Sequence, residues 1–376
     1  MSAREVEVTV YDKAFNRVGW IGDPLVLTAT PRHNQQPTAS ITLAGNNSKI
    51  ALLAEPGARC VIRYRDEHMV GGMVRLQTAE GVGGNRRLTF QVSDDWRLLS
   101  RVLLWPVPGS AITSQGGSEY HTVTGPAETV VKTLLGAAIT RLGLPVTVAP
   151  DLGRGDTITV KARMDKPVDV LYPLVDQAGI GVTVRQVGSG LVLDCYEPTT
   201  WPINLSVSGG TIVDGSWSYR APEVTRVVGG FDGDGTARNF RAQADSAVEG
   251  EWGDLVEDFV DARDLKVADA GFTAAANARM QAHIAANRAA AGLSLSLAET
   301  SIFRYGGSGV HVGDILTAEL APGVTTTDVL REATLTLSKD GTQITPVVGE
   351  RRDDPDYTLG RAVAALASKL RKTTRS

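Results

Sequence analysis

With 376 residues and about 150 residues per domain as a guide, the chain has material for two or three domains, each with its own core. Its 38 lysines and arginines stand against 42 acidic residues, a formal net charge of -4, which excludes a surface that grips nucleic acid broadly. Forty glycines, 17 prolines and only 21% charged residues suit a β-rich protein with many turns rather than a disordered one.

In chain order, residues 5–10 alternate cleanly and read as an edge strand with Glu5 and Glu7 facing water. Ahead of them there is no apolar signal-peptide core, and no run approaches the roughly 18 apolar residues of a membrane span. The chain is therefore expected to be made and kept in a cytosol-like compartment. Residues 25–30 and 39–43 form a hairpin around 31–37, whose prolines and amides favour a turn. Residues 49–53 give about one helical turn, stopped at Glu55-Pro-Gly57. In the strand 59–65, Cys60, Ile62 and Tyr64 share one face while Arg59, Arg63 and Arg65 share the other, which is expected to be wet. Residues 69–76 follow, with Gly71 and Gly72 marking a bulge or barrel corner, and Gly81-Val-Gly-Gly-Asn85 reverses the chain into 86–92. Strands this short and this regularly interrupted predict a small closed β-barrel over 1–105. Ser93 or Asp94 caps a helix with Trp96, Leu99 and Leu103 on one face, expected to plug or flank the barrel.

Prolines and glycines between 106 and 120 mark a boundary. In the α+β insert that follows, 106–215, Val130, Leu134, Ala138 and Leu142 predict a helix from Pro126 to Gly143. Asp165 and Pro167 open a second helix carrying Val170, Leu171, Leu174 and Val175 and ending at Gly179. Residues 181–187 and 190–196 pair as a hairpin about Gly188-Ser189. The region 216–350 begins with strands at 223–228 and 236–242. An alanine-rich helix over 272–291 then has Phe272, Ala276, Met280 and Ile284 as its buried line. Short strands at 293–297, 310–320, 331–337 and 343–348 predict a second barrel. Cys60 and Cys195 lie in apolar strand-like runs and read as buried thiols, since a disulfide framework would need more cysteines.

The final region, 351–376, starts with a charged, proline-interrupted linker. Beyond it Leu359, Val363, Leu366 and Leu370 fall on one stripe of an amphipathic helix made basic by Arg361, Lys369, Arg371, Lys372 and Arg375. A helix of about a dozen residues is marginal alone in water, so the stripe needs a partner, either its own subunit or the acidic surface of a neighbour. Leu359, Val363, Leu366, Leu370, Arg361, Lys369 and Arg371 are the candidate partner-docking residues.

Catalytic, cofactor and metal residues are expected to be absent. His33, His68, His121, His283 and His311 are scattered, with no zinc spacing. Asp232-Gly-Asp-Gly235 lacks the closing glutamate of a calcium loop and reads as a tight turn. The glycines from Gly229 to Gly235 follow a strand, yet no helix opens behind them to cradle a phosphate. Glu249-Gly-Glu-Trp-Gly-Asp254 sets carboxylates beside a tryptophan, as a sugar-handling site would and as a solvated loop with one packed aromatic also would.

Arg17-Val-Gly-Trp20, a hairpin, Lys49-Ile-Ala-Leu-Leu53, Glu55-Pro-Gly57 and Met69-Val-Gly-Gly-Met-Val74 occur in an order that resembles the first barrel of tail-hub proteins of long-tailed bacteriophages. The minor tail proteins of siphoviruses infecting actinobacteria are especially similar, and the phrase 227–240 is similar to a glycine-rich strand and turn in them. The resemblance implies a mainly β fold with α+β inserts, two small β-barrels per chain and a short C-terminal helix. It implies a homotrimeric hub at the virion tail tip, made in the bacterial host cytoplasm, whose six barrels fit a sixfold tail tube to a threefold central fibre or spike. The partners implied are the distal tail protein ring, the tape-measure protein and the fibre or other minor tail proteins. DNA would only pass through the lumen, and no membrane span is implied. The alternative is a cell-wall-directed protein that binds or hydrolyses glycan. In the resembled family a lytic domain, where present, is an added segment, and no region here is left to house one.

Overall fold

The computed structural model describes residues 5–287, 290–300, 303–321 and 323–348. The chain divides into two compact units. One joins the chain up to Gly215 with Leu295–Gly349, and the other includes Ser216–Ser294. The grouping of 216–350 as one second barrel is thus corrected, because its later strands belong with the first region.

The larger unit carries a 13-stranded sheet. Its first group is ordered Val26–Thr30, Thr38–Ala44, Arg87–Asp94, Glu67–Glu80, Arg59–Tyr64, Val6–Tyr11, Arg17–Ile21, every neighbour antiparallel. Alternation explains the buried face: in Thr38–Ala44 it buries Ala39, Ile41 and Leu43. The group does not close on itself. The free side of Val26–Thr30 is taken by Val324–Ser338, with Leu335 opposite Ala29 and Leu337 opposite Leu27, and that strand pairs onward with Gly341–Val348. The strand order is open, and no closed barrel forms among the described residues. The first expected barrel and the later strands of the second are therefore one continuous sheet, because a strand from late in the chain satisfies the edge that closure would have used.

The bulge expected at the glycine pair lies on either side of it: Gly71 and Gly72 stay in regular register with Val61 and Cys60, and the register shifts fall between Ile62 and Arg63 and between Val74 and Leu76. The wet face expected for Arg59–Tyr64 needs correction. Arg63 is exposed, but Arg59 is 4% exposed, its guanidinium paired with Asp95 and lying 4.5 Å over the Phe15 ring. That face is therefore covered at Arg59 and open at Arg63. The helix expected after residue 93 is shorter, a 3-10 turn Asp95–Arg97 followed by Leu98–Arg101, with Asp94 accepting from the Trp96 amide as its cap. Trp96, Leu98 and Leu99 enter the core of the insert rather than plugging a barrel, and Trp96 Nε1 donates to Val182 O at 3.1 Å.

In the insert the helix Ala127–Leu142 ends at Gly143, whose φ of 58 supplies the left-handed C-cap. Val130, Leu134 and Ala138 are buried with the hairpin Gly181–Val187 and Gly190–Tyr196, although Leu142 is 46% exposed. The second helix breaks into Pro167–Val170 and Tyr172–Gln177. Both cysteines are buried free thiols.

The smaller unit is a three-stranded sheet with Arg226–Gly230 in the centre. Phe240–Ala244 is antiparallel to it and Glu257–Asp261 parallel. The helix Phe272–Ala286 covers one face, with Phe272, Ala276, Met280 and Ile284 buried against Val227 and Phe231 as their spacing predicts. The helix stops short of the expected residue 291, and Ala290–Leu297 is a strand.

Candidate functional site

Residues 31–37 lie between two strands and carry a buried polar cluster of the larger unit. Asn34 adopts φ 50, a left-handed conformation that asparagine tolerates, which aims its side chain inward. His33 and Asn34 are only 3% and 2% exposed. The Asn34 amide donates to Ile180 O at 2.8 Å and accepts from the Val182 amide at 3.0 Å, so it substitutes for a strand neighbour of the insert hairpin. His33 Nδ1 lies 2.7 Å from the Tyr196 hydroxyl, and its Nε2 lies 3.2 Å from Asp176 Oδ1. Arg331 from the late strand donates to the same Asp176 oxygen at 2.7 Å. Arg32 donates to Glu332 at 2.8 Å, and the His33 amide donates to Arg331 O at 2.8 Å. One carboxylate thus joins three parts of the chain: the first strand group, the insert and the strands after 295. Burial pushes the Asp176 carboxyl up, but the His33 hydrogen bond and the Arg331 charge outweigh it and hold the group well below the usual carboxylate range.

Tyr196 also borders a cavity of about 50 Å³ lined by His68, Asp94, Trp96, Arg185 and Tyr305. Burial, with Arg185 and Arg63 nearby, pushes His68 down to about 3, and its Nε2 has no hydrogen-bond partner among the described residues. Burial pushes Asp94 up to about 7 against the Trp96 and Gly71 amides that donate to it. A Tyr-His-Asp chain beside a cavity has the parts of a proton relay, but the space is far below the roughly 300 Å³ of a substrate pocket and suits ordered water. The arrangement is a polar joint that fixes the insert on the sheet. Within the insert, Glu128 is fully buried and held well below the usual range by Arg154, which grips it with two nitrogens, and by Lys132. That network ties the helix to the hairpin through Asp194.

The sequence singled out the histidines one by one, and the structure brings His33 and His68 to the surroundings of Tyr196. His283 lies 2.6 Å from Asp258 in the smaller unit, and His311 lies between Glu67 and Asp314, whose hydrogen bond holds its pKa up. His121 begins a strand. Asp232-Gly-Asp-Gly235 is a turn, with Gly233 and Gly235 at positive φ. Among the described residues no three His, Cys, Asp or Glu side chains are grouped to hold a metal. Glu249 lies on the helix Ser246–Trp252 and grips Arg226 through both oxygens, so it anchors a strand. The docking residues Leu359, Arg361, Val363, Leu366, Lys369, Leu370 and Arg371 lie outside the described residues. No described helix is long and apolar enough to cross a membrane. Sequence reasoning missed the joint, although five polar residues between two prolines exceed what a turn needs.

A family model described as Siphovirus ReqiPepy6 Gp37-like protein matches residues 7–350. Among solved structures, the 43 kDa tail protein of prophage MuSo2 from Shewanella oneidensis is similar at 13% identity and a TM-score of 0.58, covering 92% of this chain and 99% of that one. A tail protein from Neisseria meningitidis MC58 is similar at 13% identity and a TM-score of 0.56, covering 92% and 97%. Prophage tail protein gp18 from Listeria monocytogenes EGD-e reaches 0.56 at 9% identity, covering 98% and 100%. At these identities the likeness is one of fold. No curated protein matches the chain.

Proposed function

The chain belongs to the family of Siphovirus ReqiPepy6 Gp37-like proteins, and from that membership and the tail-protein fold we propose that it is a structural, non-enzymatic component of the virion tail, acting as the hub of the tail tip. In this reading three copies form a ring that meets the sixfold distal tail protein ring on one side and a threefold fibre, or other minor tail proteins, on the other. The tape-measure protein ends at this ring, and DNA passes through its lumen.

The observation that carries the reading is a duplicated element. Each strand group of the larger unit has one long strand, Glu67–Glu80 and Val324–Ser338, that is more buried along one part than along the other, where it pairs with its hairpin mate. The first arm ends beyond six exposed residues, 75–80, near Val82, which is 87% exposed. Two arms per chain give six in a trimer, the number a sixfold tube requires. The polar joint supports the same role, since a hub that bears load needs its insert fixed to its sheet. Leu359, Val363, Leu366 and Leu370, with Arg361, Lys369 and Arg371, are proposed to dock a neighbouring tail protein. Deleting residues 357–376 then leaves the body folded and trimeric while blocking tail assembly. Light scattering on the purified chain tests the hub directly. The expected mass is three times 39.8 kDa, and a species that stays monomeric at high concentration overturns the reading.

A further inference from the structure

We propose that the outer face of the three-stranded sheet in the smaller unit binds a short stretch of neutral hexopyranose glycan. Alternation sends Val227 and Gly229 toward the helix Phe272–Ala286 and places Arg226, Val228 and Gly230 on the opposite face, beside Phe240 and Phe259 of the flanking strands. Phe240 is 57% and Phe259 47% exposed, against 7% for Phe272 on the helix side. The Arg238 guanidinium lies between the two outer rings, 5.6 Å from the Phe240 centroid and 5.3 Å from that of Phe259, and donates to Asp261 Oδ1 at 2.7 Å. Gly230 makes room for this arrangement, since a Cβ there would meet Phe259 Cζ and Arg238 Nη2 at 2.6 Å each. The result is an exposed patch of two aromatic rings with the guanidinium, 14% exposed, packed against both and its half-exposed carboxylate partner beside it.

A hexopyranose has the matching division. Its C–H faces lie on aromatic rings, and its hydroxyl rim bonds to guanidinium and carboxylate groups. Charge favours a neutral sugar, because the ion pairs Arg226–Glu249 and Arg238–Asp261 cancel within the face. Size favours a small ligand over a protein. Three strands of five residues, at about 4.8 Å between strands and about 3.4 Å per residue, cover about 240 Å². A stable protein interface needs about 800 Å² from each partner. The proposal does not rest on the hub reading, and its test leaves the trimer mass as a separate measurement.

The experiment is saturation-transfer NMR on the full-length protein with a panel of tetrasaccharides of glucose, galactose, mannose and N-acetylglucosamine. At least one is expected to receive saturation from the native protein. In the double variant F240A/F259A its affinity is expected to fall at least about tenfold with unchanged thermal unfolding, because both rings are exposed. Phe240→Trp is expected to retain binding. The proposal is overturned if no member of the panel binds the native protein, or if binding is the same in the double variant. It is equally overturned if the double variant loses a protein partner while the native chain ignores every sugar.

Discussion

The phrase Val-Gly-Gly occurs in two strands, at 70–72 and at 228–230, and the two copies need their glycines for different reasons. At Gly72 a Cβ would lie 2.0 Å from Ser93 O and 2.8 Å from Asp94 Cα, so the obstacle is the backbone of the paired strand. That close approach also brings the Gly71 amide to the buried Asp94 carboxylate at 2.8 Å. At Gly230 the obstacles are the ends of Arg238 and Phe259, which belong to an outer face and can swing into water. Gly72 closes a core and Gly230 clears a surface, so identical letters predict very different sensitivities.

The largest expected effect is at Gly72. Gly72→Ala forces two paired backbones apart beside a buried carboxylate, and overpacking of this kind has no flexible side chain to absorb it. Loss of cooperative unfolding in a urea titration is the expected result, and a native-like transition would show that the sheet relaxes. Next comes the carboxylate itself. Burial pushes Asp94 up to about 7, whereas an unfolded aspartate titrates near about 3.9. The fold therefore disfavours the charged form. Its contribution is fully present below about pH 4 and is lost as the pH rises through about 7, a change of about 4 kcal/mol. Denaturation midpoints measured from pH 4 to 8 should fall across that window, and Asp94→Asn should flatten the slope even if it lowers the plateau.

The polar joint stands third. Asp176→Asn leaves Arg331 and His33 facing an uncharged amide, an expected loss of about 2 kcal/mol. Because the carboxylate ties the insert to the sheet, limited proteolysis should begin to cut between the two. Destabilisation without new cleavage would place the effect elsewhere in the unit.

What the sequence made legible was local. Phe272, Ala276, Met280 and Ile284 lie within one helix, so their period alone names the buried face, and all four are buried. The pairing of Leu335 with Ala29 has no such local signature. It joins residues far apart in the chain, and either strand would look the same if it closed a barrel of its own. For the same reason 216–350 reads as one region although it is cut at Leu295. Arg59 misled because a charge at an alternating position reads as solvent-facing. Its partner Asp95 and the Phe15 ring come from other elements and make burial tolerable. His33 and Asn34 were hidden by type, since turns are commonly polar and only their burial separates a joint from a loop.

The smallest effect is the one that sharpens the comparison most. Gly230→Ala puts a methyl group where Phe259 Cζ and Arg238 Nη2 now lie, but both can rotate outward, because Phe259 is 47% exposed and Arg238 is held at its tip by a half-exposed Asp261. The backbone pairing of Arg226–Gly230 with its two neighbours needs no change. A stability loss below about 1 kcal/mol is expected, and alanine in place of a strand glycine offsets part of it by restricting the unfolded chain. The Arg238–Asp261 pair should loosen as the guanidinium moves, which the arginine side-chain NMR resonance would report as a shift. If Gly230→Ala instead unfolds the unit as Gly72→Ala is expected to unfold the sheet, the outer rings are part of the core, and the contrast between Gly72 and Gly230 fails.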